Sequence, residues 1–115
     1  MCDFMVHLID SYKKKFSRVK YEKDIEALKK ENDSEKLADF ALNNDFSNIR
    51  LEATNRIHDE SVLAEIAQKD SNKKVRIAAI KKLHNEFVLA DLASNDSNKY
   101  IRQFASERLV ELGLR

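Results

Sequence analysis

Three arginines, Arg50, Arg76 and Arg102, stand 26 residues apart. Guanidinium groups held in such a register form a ladder that can grip phosphate or carboxylate through paired N–H donors. Asp70 and Asp96 precede Arg76 and Arg102 by the same six residues, so the series also fits internal ion pairs, which commonly tie helix ends together. A structural ladder of Arg50, Asp70, Arg76, Asp96 and Arg102 is therefore the expectation. His58 and His84 also repeat 26 apart, but neither has a second histidine one helical turn away or a nearby cysteine, as a metal clip requires. Cys2 is the one cysteine; it has no partner for a disulfide within the chain and reads as a bystander. No glycine-rich phosphate loop is present, nor a serine with histidine and aspartate in local register. No catalytic, metal or cofactor site is expected, and the chain reads as non-enzymatic.

The elements that position these residues follow from composition. The chain has 115 residues, 21 basic and 20 acidic, and 43% hydrophobic content. That is one ordinary domain with enough apolar matter for a core. The balance of charge makes no demand for nucleic acid or an anionic surface. Near the start, the longest uncharged stretch is residues 4–9, far short of a membrane helix and without the flanks of a secretory signal. A cytoplasmic protein with no transmembrane segment is the expectation. Proline is absent and Gly113 is the single glycine, while Ala, Leu, Glu and Lys abound, so the chain reads as all-α.

Laid against itself, the sequence repeats. Residues 61–86 and 87–112 agree at 11 of 26 positions, and residues 35–60 agree with the middle copy at seven. A period of this size marks stacked supersecondary units that cannot bury their apolar faces alone. Each copy divides into two short helices. The first carries apolar pairs such as Leu63-Ala64 and Ile66-Ala67, matched by Leu37-Ala38 and Phe40-Ala41 before and by Leu89-Ala90 and Leu92-Ala93 after, one face of a helix. Asp33, Asp59 and Asn85 stand just before acidic first turns, as N-caps do. The second helix carries Ile49, Ala53 and Ile57, then Val75, Ala79 and Leu83, then Ile101, Ala105 and Leu109. The small central alanine lets adjacent helices approach closely.

The stretch DSNKKVRIAAIKKL, residues 70–83, and its neighbours resemble HEAT-like repeats, paired antiparallel helices whose second helix opens with an aspartate, a hydrophobe-arginine pair and an alanine. The resemblance covers residues 34–112, about two thirds of the chain. It implies an α-solenoid of antiparallel helix pairs, with repeats at 34–60, 60–85 and 86–112 in one continuous domain, 34–115, behind an N-terminal helical cap, 1–33. It also implies that the arginine is a structural partner of the loop aspartate. The chain departs from the family pattern in its short period, in Ser71 and Ser97 where a proline is usual, and in Asn44 where the later copies have Asp70 and Asp96. Enzymes with such repeats act on damaged DNA bases or on bilin attachment, but they are longer, and this chain has no tryptophan to stack on a base or pigment.

Opposite the buried stripe, the second helices present Asn48, Leu51 and Asn55, then Lys74, Ile77 and Lys81, then Tyr100, Gln103 and Glu107. Core positions repeat while these vary, the pattern of a protein-binding wall on a repeated scaffold; Leu51 and Ile77 equally fit contacts with neighbouring repeats. The expected function is a protein–protein interaction scaffold with a partner on that wall. The alternatives are a nucleic-acid or anionic-surface binder using Lys13 to Lys20 with Lys73, Lys74, Lys81 and Lys82, and a self-associating structural unit. Residues 1–30 depart from the repeat. There Phe4, Met5, Leu8, Ile9, Tyr12, Phe16 and Val19 form an apolar stripe beside Lys13, Lys14, Lys15, Arg18 and Lys20. A cap over the first repeat is expected, with membrane-surface docking or a partner helix as the other readings.

Overall fold

A computed structural model describes the backbone of residues 2–113 and the side chains of residues 8–113. The side chains of Cys2, Phe4, Met5 and His7 lie outside the described residues. Among the described residues there are seven α-helices and no strand, as expected of a chain without proline and with one glycine. They are α1 (Cys2–Lys30), α2 (Ser34–Asn43), α3 (Ser47–Arg56), α4 (Glu60–Lys69), α5 (Lys73–Lys82), α6 (Glu86–Asn95) and α7 (Lys99–Glu111). The chain divides into two compact units, Met1–Glu31 and Asn32–Arg115. The first holds one continuous 29-residue helix, α1.

In the second unit, helices α2, α4 and α6 begin 26 residues apart, as do α3, α5 and α7. Asp33, Asp59 and Asn85 cap the first set, each accepting two backbone N–H bonds from the opening turn, which satisfies donors that have no partner inside the helix. Asn72 and Asn98 do the same for α5 and α7. At α3 the equivalent residue is Phe46, which has no side chain able to cap. The helix ends are equally regular. Ile57 and Leu83 terminate α3 and α5 in extended backbone, while Gly113, at φ 74, closes α7 with its N–H bonded 2.9 Å from the Val110 carbonyl.

The core lies where these helices meet. Within each copy the pairs α2–α3, α4–α5 and α6–α7 pack together; between copies the second helices pack in order, α3 on α5 and α5 on α7, with a lighter contact between α2 and α4. At matched positions Ile49, Val75 and Ile101, then Ala53, Ala79 and Ala105, then Ile57, Leu83 and Leu109 are all buried. The three alanines are fully buried between packed helices, where a larger side chain would have to displace its neighbours. Leu37, Leu63 and Leu89 supply the facing layer from the first helices. Among the described residues one polar side chain joins this core, Thr54, whose hydroxyl donates to the Arg50 carbonyl at 2.7 Å.

Candidate binding face on the second helices

The loop before each second helix is built the same way. Asn44, Asp70 and Asp96 accept a hydrogen bond from the backbone N–H two residues on, at 2.9, 2.8 and 2.9 Å. This turn is within reach of either side chain, since asparagine and aspartate both offer a carbonyl-type oxygen. The arginines add a second tie: Arg50 and Arg102 donate to the Asn44 and Asp96 carbonyls at 2.8 and 2.7 Å, and Arg76 to the Ala67 carbonyl at 2.7 Å.

The ion pairs depart from the expected spacing of six. Arg50 bonds Asp70 through Nε at 3.0 Å and through Nη2 at 3.3 Å. Arg76 bonds both carboxylate oxygens of Asp96, one of them at 3.4 Å. Arg50 and Arg76 thus each pair with a carboxylate 20 residues ahead, in the following copy. Both pairs are nearly withdrawn from solvent, with side chains 13% and 5% exposed in the first and 13% and 10% in the second. Forked, two-bond contact in such surroundings fixes the register of one copy on the next. Burial works against ionisation of Asp96, but the Arg76 guanidinium and the Asn98 N–H outweigh it, with Arg102 assisting, and hold the carboxyl below its usual range.

A second set of cross-copy ties has no counterpart in the expected ladder. Lys82 donates to the carbonyls of Thr54, at 3.2 Å, Asn55, at 3.0 Å, and Ile57, closing the C-terminal end of α3. Arg108, 26 residues on, donates to Leu83 at 2.9 Å beyond α5. A cation from the next copy thereby meets the negative end of the preceding helix dipole. Burial pushes the Lys82 ammonium below its usual pKa. Glu60 joins the same seam by accepting from the backbone N–H groups of His84, at 3.0 Å, and Asn85, at 3.2 Å, while its Oε1 lies 3.1 Å from the His84 ring. Burial opposes the Glu60 charge, yet these donors keep its pKa below the ordinary value. His84 in turn lies 3.4 Å from Arg108, a structural setting, and no group of three or more His, Cys, Asp or Glu among the described residues could hold a metal ion.

The nine wall positions lie on α3, α5 and α7. Asn48, Asn55, Lys74, Lys81, Tyr100, Gln103 and Glu107 are exposed, and Leu51 and Ile77 half-buried. Asn48, Leu51 and Lys74 come together with Ser47, Asn72, Lys73 and Val75 around a shallow groove of about 310 Å³ between the openings of α3 and α5. Further along, the Lys73 ammonium sits 4.7 Å and the Lys99 ammonium 5.2 Å from the Tyr100 ring centre, and Lys81 5.5 Å from that of Phe104. These are cation–π distances that leave the lysine charge near an aromatic platform. Gln103 donates to Glu107 at 3.1 Å along the same helix. Ser47 and Phe104 belong to the face but carry no periodic signal, whereas Lys73 repeats as Lys99.

The charge of the face runs against helix electrostatics. The first turns of α2, α4 and α6 carry glutamate, whereas those of α3, α5 and α7 carry no acidic residue. Instead α5 opens with Lys73 and Lys74, and α7 with Lys99. Cations beside the positive end of a helix are locally unfavourable, so Lys73, Lys74 and Lys99 do not stabilise the helices they open. No family model matches the chain, no curated protein matches it, and no solved structure matches it.

Proposed function

We propose that residues 34–112 form a HEAT-like solenoid, a non-enzymatic scaffold that holds a protein partner against the wall of its second helices, with acidic groups of the partner over Lys73 and Lys74. The observation that carries this reading is the contrast between repeated core and varied wall. Ala53, Ala79 and Ala105 are identical and buried, while the exposed triplet Asn48, Lys74 and Tyr100 differs in size, charge and aromaticity at one repeat position. A scaffold selected for stacking alone has no use for that variety, whereas a recognition surface does. The groove beside Leu51 supplies a recess, and Tyr100 the kind of amphipathic ring that dominates contact energy at interfaces.

Site-specific photocrosslinking tests it in the native cell. A photoreactive residue at Asn48 or Tyr100 captures one discrete protein, while the same residue at Glu65 or Asp91 on the first helices does not. Tyr100→Ala weakens capture about tenfold or more with the unfolding midpoint unchanged. Capture from Glu65, or capture of nucleic acid with steep loss on adding salt, contradicts the reading.

A further inference from the structure

We propose that α1 is an in-plane docking helix for anionic lipid surfaces, a site separate from the second-helix wall. Leu8, Ile9, Tyr12, Phe16 and Val19 are 61%, 49%, 70%, 67% and 54% exposed. At about 100° per residue they share an arc of about 100°. Lys15 lies just outside one edge of that arc, and Lys13 and Lys20 just outside the other; no acid occurs between residues 11 and 21. Asp10 falls on the far side of the helix. An apolar arc with lysines along both borders is what a helix lying at a lipid interface needs, because the stems can follow the rings inward while the ammonium groups stay level with phosphate headgroups. Tyr12 brings an apolar ring with a polar tip, suited to the same depth. The helix is not apolar enough to cross: no described helix of the chain meets that requirement.

Charge separates this occupant from a second copy. Ile9, Tyr12, Phe16 and Val19 have the 3-4-3 spacing of a paired-helix seam, but three of the four charged residues beside such a seam are lysines, Lys13, Lys15 and Lys20, with Glu22 the fourth. Parallel pairing sets Lys15 against Lys20 of the other copy; antiparallel pairing sets Lys13 against Lys20, with Lys15 facing Glu22 on the other flank, so each orientation brings like charges together on at least one flank. A partner helix would need an acidic rail on each side of its own apolar stripe. An anionic bilayer presents negative charge on both sides at once.

The chain has no tryptophan, so Phe16→Trp in the full-length protein gives a reporter at the centre of the arc. Its emission is expected to be that of a solvent-exposed indole in buffer, to shift to the blue with vesicles of mixed phosphatidylcholine and phosphatidylserine, and to change little with phosphatidylcholine alone. Lys13→Gln, Lys15→Gln and Lys20→Gln together should lower partitioning about a hundredfold while circular dichroism shows the helix content intact. Four results overturn the proposal: no shift with anionic vesicles, an equal shift with neutral ones, retention of partitioning by the triple variant, or emission already blue in buffer, which would place the stripe against protein. A salt-sensitive complex with a random oligonucleotide, without any vesicle-induced shift, would overturn it in favour of nucleic acid.

Discussion

Arg76 grips Asp96, 20 residues ahead, with two hydrogen bonds, while Asp70, six residues behind it, is taken by Arg50 of the preceding copy. The ion pairs therefore lie between copies rather than within them. Asn44 makes the same turn as Asp70 and Asp96 with the oxygen that asparagine supplies.

Close approach of the second helices rests on Ala79, which is fully buried between neighbours that pack α3 on α5 and α5 on α7. Ala79→Leu is expected to cost about 1–3 kcal/mol in denaturant unfolding, the usual penalty for forcing extra methylenes into a filled core. An unchanged midpoint would mean that the helices stand farther apart than described.

The cross-copy cap predicts an order of severity at position 108. Arg108→Ala removes the donor to Leu83 and the contact with His84, and should destabilise by about 1–2 kcal/mol. Arg108→Lys should recover much of this, because Lys82 performs the equivalent task with an ammonium one copy earlier. Equal losses in the two variants, measured by urea denaturation, would assign the effect to the guanidinium's simultaneous contacts with Leu83, His84 and Glu111 rather than to a cation at the helix end.

Acid should weaken the fold through Asp96 and Glu60. Both carboxyls have pKa values lowered in the folded chain, so the folded state holds fewer protons than the unfolded one near the ordinary carboxylate range. Their contribution is complete above that range, about pH 4 to 5, and is lost as pH falls through the depressed folded values. Asp96→Asn should lower stability at neutral pH and flatten the acid limb of the stability profile. A limb as steep as that of the parent chain would remove Asp96 as its source.

Much of this arrangement is legible before any coordinates. The 26-residue period sets six of the helix starts, and Asp33, Asp59 and Asn85 mark themselves as caps because short polar side chains ahead of an acidic turn have few other uses. The wall follows from the 100° step once the buried stripe is known. The ladder's direction does not follow. Arg76 is separated from Asp70 by six residues and from Asp96 by 20, and both intervals recur along the chain, so periodicity alone cannot choose between them. The choice is made by how one copy sits on the next, a long-range relationship. Lys82 and Arg108 occupy one repeat position, a signal that was available but is weak among so many surface cations. Phe104 enters the face only because Lys81 leans over its ring.

A double-mutant cycle on Arg76 tests the forward coupling of copies most directly. Arg76→Ala or Asp96→Asn alone should each cost roughly 2–4 kcal/mol, and the pair together much less than their sum, a coupling of at least about 1 kcal/mol. The parallel cycle of Arg76→Ala with Asp70→Asn should be additive within about 0.5 kcal/mol. Coupling of Arg76 to Asp70, with additivity toward Asp96, would contradict the account.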